Sequence, residues 1–317
     1  VTSSQDRATE LTASAPGGIG EIAAGADLAG LVAAHATDGD VVVLTSKVVS
    51  KAEGRVVLGD REDAIRAETV RVVARRGPTS IVENHLGLVM AAAGVDASNV
   101  EPGRLVLLPL DPDASARRIR EEVYAATGAN VAVLISDTAG RAWRHGQTDL
   151  AVGAAGIEPL EEFEGRRDGY GNELAVTAPA VADEIAGIAE LVSGKLGGRP
   201  LTLVRGLAHR VLPPGSHGPG ARRLVREVGT DMFGLGSREA VVAALAGEQR
   251  AAFGAPAPAG ELTAALAQCG LPVQEATAEL IAVTTDPADP RLRALAFAFG
   301  WQVVGSLDPV THLAPLS

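Results

Sequence analysis

Short β-rich apolar runs alternate along this chain with stretches of helical character, and that alternation restricts it to layered α/β arrangements. VVVLT (41–45) follows the turn DGD and reads as a strand, as does LVLLPL (105–110). A Pro-started, Arg/Glu-rich stretch from Pro112 to Thr127 reads as a helix, Gly128 supplies its stop signal, and VAVLIS (131–136) is the next strand. ELAVT (173–177), PAVADEIAGIAELVSGKL (179–196) and LTLVRG (201–206) repeat the strand, helix, strand order. Residues 11–234 are therefore expected to form a mixed α/β body with both faces of its sheet covered. Residues 235–260 read as a helix and a linker, the linker being GAPAPAG (254–260). Residues 261–317 read as a small C-terminal α/β extension: ELTAALAQCG as a helix, ELIAVTTD as a strand and RLRALAFAFG as a helix. No internal repeat of fixed period is present.

A chain of 317 residues, 46% hydrophobic and 21% charged, has enough apolar material for a sizeable core. Its formal charge of −11 opposes general attraction to nucleic acid or anionic membrane and points to small-molecule partners. One cysteine, Cys269, excludes an internal disulfide framework, and VTSSQDRATE at the start of the sequence has no apolar signal core. With no run long enough to span a bilayer, the expected location is the reducing cytoplasm.

Chemistry concentrates in three places. At the end of VAVLIS stand Asp137 and Thr138, followed by AGRAWRHGQTD, a loop dense in polar donors. A carboxylate beside a hydroxyl at a strand end suits a hard divalent cation that shares its remaining positions with phosphate, while Arg141 and Arg144 suit phosphate or carboxylate oxygens. The same Asp-Thr pair also suits a simple turn cap. In ENHLGLVMAAAGVDASNV (83–100), Asp96 is a second carboxylate and Asn99 a donor for a base or ribose; an Asx turn over Asp96–Asn99 is the competing reading. TSKVVSKAEGR (45–55) offers Ser46, Lys47 and Lys51 as a polyphosphate cradle without any GxxxxGK[ST] pattern. Only three of the 28 basic residues are lysine, namely Lys47, Lys51 and Lys195, so two ammonium groups four residues apart stand out against an arginine background, unless they are ordinary solvated cations. GGIGEI (17–22) is a short glycine loop, and His85, His145, His209 and His217 lack zinc-ligand spacing.

Taken in order and spacing, GGIGEI, TSKVVSKAEGR, ENHLGLVMAAAGVDASNV, SDTAGRAWRHGQTDLAVGAAG and DGYGNELAVTAPAVADEIAGIAELVSGKL resemble the coenzyme F-420-0:L-glutamate ligases, especially the ligase domain of the actinobacterial FbiB-type enzymes. The resemblance covers about residues 15–234. It implies a fold that is neither P-loop nor ATP-grasp, an intertwined homodimer, and GTP-dependent attachment of L-glutamate to the deazaflavin coenzyme F-420-0, then of further γ-linked glutamates. It also implies two divalent ions, magnesium or manganese, held by Asp96, Asp137 and Thr138, with potassium as a further ion. GTP contacts fall on Ile19, Gly20, Glu21, Ile22, Ser46, Lys51 and Asn99, with Lys51 and Asp137 the catalytic pair. Gly20 stands where the family usually has proline, and HRVLPPGSHGPGARR (209–223) departs enough to leave its contacts unassigned.

The mechanism so implied runs through an acyl phosphate, because a free carboxylate is a poor electrophile. The substrate carboxyl attacks the γ-phosphate, and the glutamate amine then displaces phosphate, with Asp149 and His145 as candidate bases. Two other classes fit the same residues: a related amide ligase or phosphotransferase acting on another carboxylate, and a nucleotide-binding protein without catalysis. FbiB-type enzymes continue into a flavin reductase domain; residues 261–317 are too few for one, so no flavin is expected.

Overall fold

β-Branched and apolar side chains at successive positions build the main sheet. The structure is a computed structural model and describes residues 10–317; the first nine residues, VTSSQDRAT, on which the reading of the sequence start rests, lie outside them. Contacts divide the chain into two units. One comprises the described residues up to Val72 together with Ile81–Val225, the other Val73–Ser80 with Arg226–Ser317. Among the described residues there are eight α-helices and four sheets, a mixed α/β architecture.

In the first unit the strands are β1 (Thr12–Ser14), β2 (Val41–Thr45), β3 (Val56–Leu58), β4 (Thr69–Arg76), β5 (Thr79–Asn84), β6 (Val89–Ala91), β7 (Arg104–Val106), β8 (Ala132–Gly140), β9 (Gln147–Ala155) and β10 (Leu201–Arg205), the tip of the β4–β5 pair grouping with the second unit. Its helices are α1 (Leu28–Ala33), α2 (Ser46–Ala52), α3 (Arg61–Glu68), α4 (Pro112–Thr127) and α5 (Val181–Ser193). The main sheet has the order β1-β10-β2-β8-β9, with β2 and β8 parallel and the other pairs antiparallel. Strand alternation sends Val42, Leu44, Val133 and Ile135 to one face, where Val32 of α1, Val49 of α2 and Ile119 and Val123 of α4 close over them. Val41, Val43, Ala132 and Leu134 point the other way, onto Val181, Ala182 and Ile185 of α5. The sheet is thus covered on both sides, as the near-continuous apolar runs of β2 and β8 require.

Local chemistry sets the helix ends. Asp111 caps α4 by accepting from the Ala114 N–H at 2.9 Å, Pro112 follows where its missing N–H costs nothing, and Gly128 closes the helix at φ +76°. Gly153 in β9 has another role: a Cβ there would lie 2.6 Å from the Pro112 carbonyl, so only hydrogen lets α4 seat on the strand.

Two expected strands differ. ELAVT forms none: Glu173 makes one isolated bridge to Arg167, Val176 is 95% exposed, and the segment finds no partner strand among the described residues, without which β propensity has nothing to act on. LVLLPL contributes only Leu105 and Val106 to β7, since the ladder with β3 ends there and Pro109 has no N–H to extend one.

The second unit contains α6 (Ser237–Ala246), α7 (Ala259–Gln268), β11 (Val273–Ala276), β12 (Ile281–Thr284), α8 (Pro290–Phe299), β13 (Trp301–Leu307) and β14 (Val310–Pro315). Its antiparallel sheet has the order β11-β12-β14-β13. Leu262 and Leu266 of α7, Leu292 of α8, Ile281 and Val283 of β12, Trp301 and Leu313 form a core of their own. The expected helix, strand and helix are all present, together with the β13–β14 hairpin and β11, which sequence reading did not assign. Trp301 Nε1 donates to the Ala257 carbonyl at 2.9 Å, pinning the 254–260 run against this core.

Candidate functional site

The parallel pairing of β2 with β8 ends at Thr45 opposite Ser136, and a cleft of about 370 Å³ opens there. This is the carboxyl end of the parallel pair, where α/β sheets leave room for ligands. β8 does not stop at Ser136 as its apolar run suggests. It continues as a hairpin arm with β9, setting Thr138 opposite Asp149 and Asp137 opposite Leu150. All of the cleft's lining residues belong to the first unit.

The lining includes the loop residues Ile19, Gly20, Glu21 and Ile22, then Ser46, Lys47 and Lys51 of α2, Asn99, and Asp137 and Thr138 of β8. These segments are far apart in sequence and close in space. Ser46 opens α2 directly after β2, and its hydroxyl donates to Asp137 Oδ1 at 2.7 Å. One helical turn separates Lys47 from Lys51, so both ammonium groups reach the same side. The Lys51 ammonium pairs with Glu21 and donates to the Asn99 carbonyl at 2.6 Å. Asn99 is held at φ +57°, a conformation asparagine tolerates better than most residues.

Asp96 is not itself a lining residue; Lys47 carries its connection to the cleft. The Lys47 ammonium lies 2.6 Å from Asp96 Oδ2 and donates to Ser98 Oγ at 2.5 Å. Asp96 also accepts from the Ser98 N–H at 2.7 Å, so the Asx turn and the ion pair coexist. Burial raises its carboxyl, but Lys47 and the Ser98 donors outweigh burial and bring it below the ordinary value.

Asp137 goes the other way. Burial pushes its carboxyl up to about 6; the Ser46 hydroxyl and Lys47 oppose this, while the nearby charges of Asp149 and Asp96 reinforce it. Asp149 is 4% exposed and accepts from Ser136 Oγ at 2.9 Å and Thr138 Oγ1 at 2.7 Å. Two crowded carboxylates among three hydroxyls form an all-oxygen donor set of the kind that magnesium or manganese shares with phosphate and water. No group of three or more His, Cys, Asp or Glu side chains able to hold a metal occurs among the described residues, so such an ion would draw on hydroxyls and substrate oxygens as well.

Sequence reading left part of the cleft unassigned. Glu190 and Ser193 from the end of α5, and Lys195 and Arg199 from the loop that follows, form its remaining wall. The available signal was Lys195, the third lysine of an arginine-rich chain: all three lysines line this one cleft. Arg141, Arg144 and His145 lie exposed in the β8–β9 turn and contribute nothing to the lining. The 209–223 segment is likewise absent from it; the buried Arg120 guanidinium ties that segment down by donating to the carbonyls of Leu212 and Ser216, each at 2.7 Å.

A covered α/β sheet carrying lysines and carboxylates in a cleft at its parallel strand ends is an arrangement suited to an enzyme that handles phosphorylated or carboxylate substrates. The family model described as F420-0:Gamma-glutamyl ligase matches residues 18–206. The chain is 42% identical over 212 residues to the coenzyme F420:L-glutamate ligase of Archaeoglobus fulgidus, covering 60% of this chain and 85% of that protein. It is 40% identical over 233 residues to the enzyme of the same name from Methanopyrus kandleri, covering 66% and 92%. The chain belongs to the F420-0:gamma-glutamyl ligase family and is a ligase.

Proposed function

We propose that this enzyme attaches L-glutamate to coenzyme F-420-0, and then further γ-linked glutamates, using GTP and divalent metal, through an acyl phosphate. One observation carries the reading: a single cleft gathers Ile19–Ile22, Ser46, Lys51, Asn99, Asp137 and Thr138, which are distant in sequence and together offer phosphate donors beside hard-cation ligands.

Ile19–Ile22 and Asn99 receive the nucleoside, and Lys51 turns from Glu21 to the phosphates as a rotatable point charge. Asp137 and Thr138, with Asp96 once Lys47 releases it, would hold magnesium or manganese. Divalent ions held there would neutralise charge on the transferring phosphoryl group. The acceptor carboxylate attacks the γ-phosphorus and GDP departs; the glutamate nitrogen then bonds to the acyl carbon, the C–O bond to phosphate breaks, and the amine proton must go to a base. We assign this role to Asp149, which lines the cleft whereas His145 does not. The homodimer, potassium and a cytoplasmic location belong to the same reading; no helix among the described residues is long and apolar enough to cross a membrane.

The test is mass spectrometry of coenzyme F-420-0 after incubation with the protein, GTP, magnesium or manganese, and L-glutamate. Glutamyl additions that need all four components, with GDP released, are expected. An unmodified coenzyme, or additions without GTP, would reject the proposal.

A further inference from the structure

The wall formed by the end of α5 and the loop after it has no part in the nucleotide and metal assignments above. Lys195 dominates it. Its ammonium lies 2.8 Å from Glu190 Oε1, donates to Thr138 Oγ1 at 2.6 Å and stands 3.9 Å from Asp149 Oδ1. Lys195 remains 60% exposed while Asp149 is 4% exposed, so the cation fronts the cleft and the anion lies behind it. Arg199 lines the same wall.

We infer that this wall is the amino-acid subsite: Lys195, with Arg199, receives a carboxylate of the incoming glutamate, and Asp149 receives its α-ammonium. The inference rests on the ligase reading and extends it to a substrate whose site that reading leaves unassigned. A free α-amino acid presents an anion and a cation separated by a single carbon, and its receptor needs the opposite charges at a similar spacing. Lys195 and Asp149 supply that pair. Lys51 and Lys47 engage Glu21 and Asp96 from α2, across the acidic centre, so the two ends of the cleft are chemically divided. Glu190 holds the place of the substrate carboxylate: it keeps the Lys195 ammonium paired until glutamate displaces it. Thr138 ties the subsite to the metal-ligand strand, since its hydroxyl contacts both Lys195 and Asp149. An amine bound here faces Asp137 and Thr138, where the acyl phosphate would form.

Direct titration of L-glutamate into the 317-residue chain, followed by calorimetry, tests this without requiring turnover. Lys195→Gln should weaken glutamate binding by 10- to 100-fold, and in steady state should raise the KM for glutamate by a similar factor while leaving the KM for GTP within twofold. Lys195→Arg should recover part of the binding. Because the side chain is mostly exposed, both variants should fold with unchanged melting temperatures. Glutamate binding equal in wild type and Lys195→Gln, or absent from wild type, overturns the inference. If wild type binds glutamate, Lys195→Gln does not, and no coenzyme is modified, the subsite stands and the ligase reading falls.

Discussion

Asp137 is kept at a cost that its surroundings make calculable. Its carboxyl stands at about 6 against an ordinary 3.8, so the folded protein disfavours the ionised form. The penalty is absent below the unfolded value, grows as pH rises towards 6 and is complete above it; the gap corresponds to roughly 3 kcal/mol. Asp137→Asn should therefore raise stability at pH 7 by roughly 2–3 kcal/mol, with the gain vanishing below pH 4, while ligation falls at least about a hundredfold. Denaturant melts at both pH values, beside an activity assay, check both halves; a destabilised variant would contradict the electrostatic account. Lys51 gives the complementary case. It is 8% exposed and held by Glu21 and the Asn99 carbonyl, so Lys51→Ala removes a charge-assisted contact of about 1.5–3 kcal/mol and should raise the KM for GTP by one to two orders of magnitude. Lys51→Arg should recover little, since a planar fork cannot rotate among phosphate oxygens as an ammonium does.

At the level of elements, the seating of α4 on β9 makes a sharp prediction. Gly153→Ala would place a Cβ 2.6 Å from the Pro112 backbone, where no flexible side chain can yield. A loss of about 1–3 kcal/mol is expected from chemical denaturation, with no change in the cleft's ligand preferences. The same elements show how much was legible beforehand. α4 was readable to its ends because Asp111, Pro112 and Gly128 are local signals, and β2, β10 and α5 were readable because burial on one or both faces leaves a periodic trace. ELAVT was misread because strand formation depends on a partner that lies outside the segment. Among the site residues, Asp137, Thr138, Ser46 and Lys51 follow strand ends or a motif, so their convergence could be anticipated. Glu190 and Arg199 could not: nothing local to α5 or its following loop records that β9 and β8 pass beside them.

Across the whole molecule, the cleft and the Trp301 core belong to different units. Trp301 is 2% exposed in the second unit's core, and the cleft's lining lies in the first, so Trp301→Ala should cost about 3–5 kcal/mol in a separate unfolding transition. Ligation below that transition should be retained; loss of coenzyme binding in the folded variant would contradict a purely structural role for Trp301. Light scattering should give twice the mass of one chain, and ELAVT should then be protected from proteolysis, having found in a second copy the strand partner it lacks. The distribution of lysine has a practical consequence. Every ε-amine of this sequence lines one cleft while arginines carry the remaining cationic side-chain charge, so amine-acylating reagents, which ignore guanidinium, become labels for that cleft. Peptide mapping after brief acetylation should find Lys47, Lys51 and Lys195 modified in step with inactivation, with GTP shielding Lys51 and glutamate shielding Lys195.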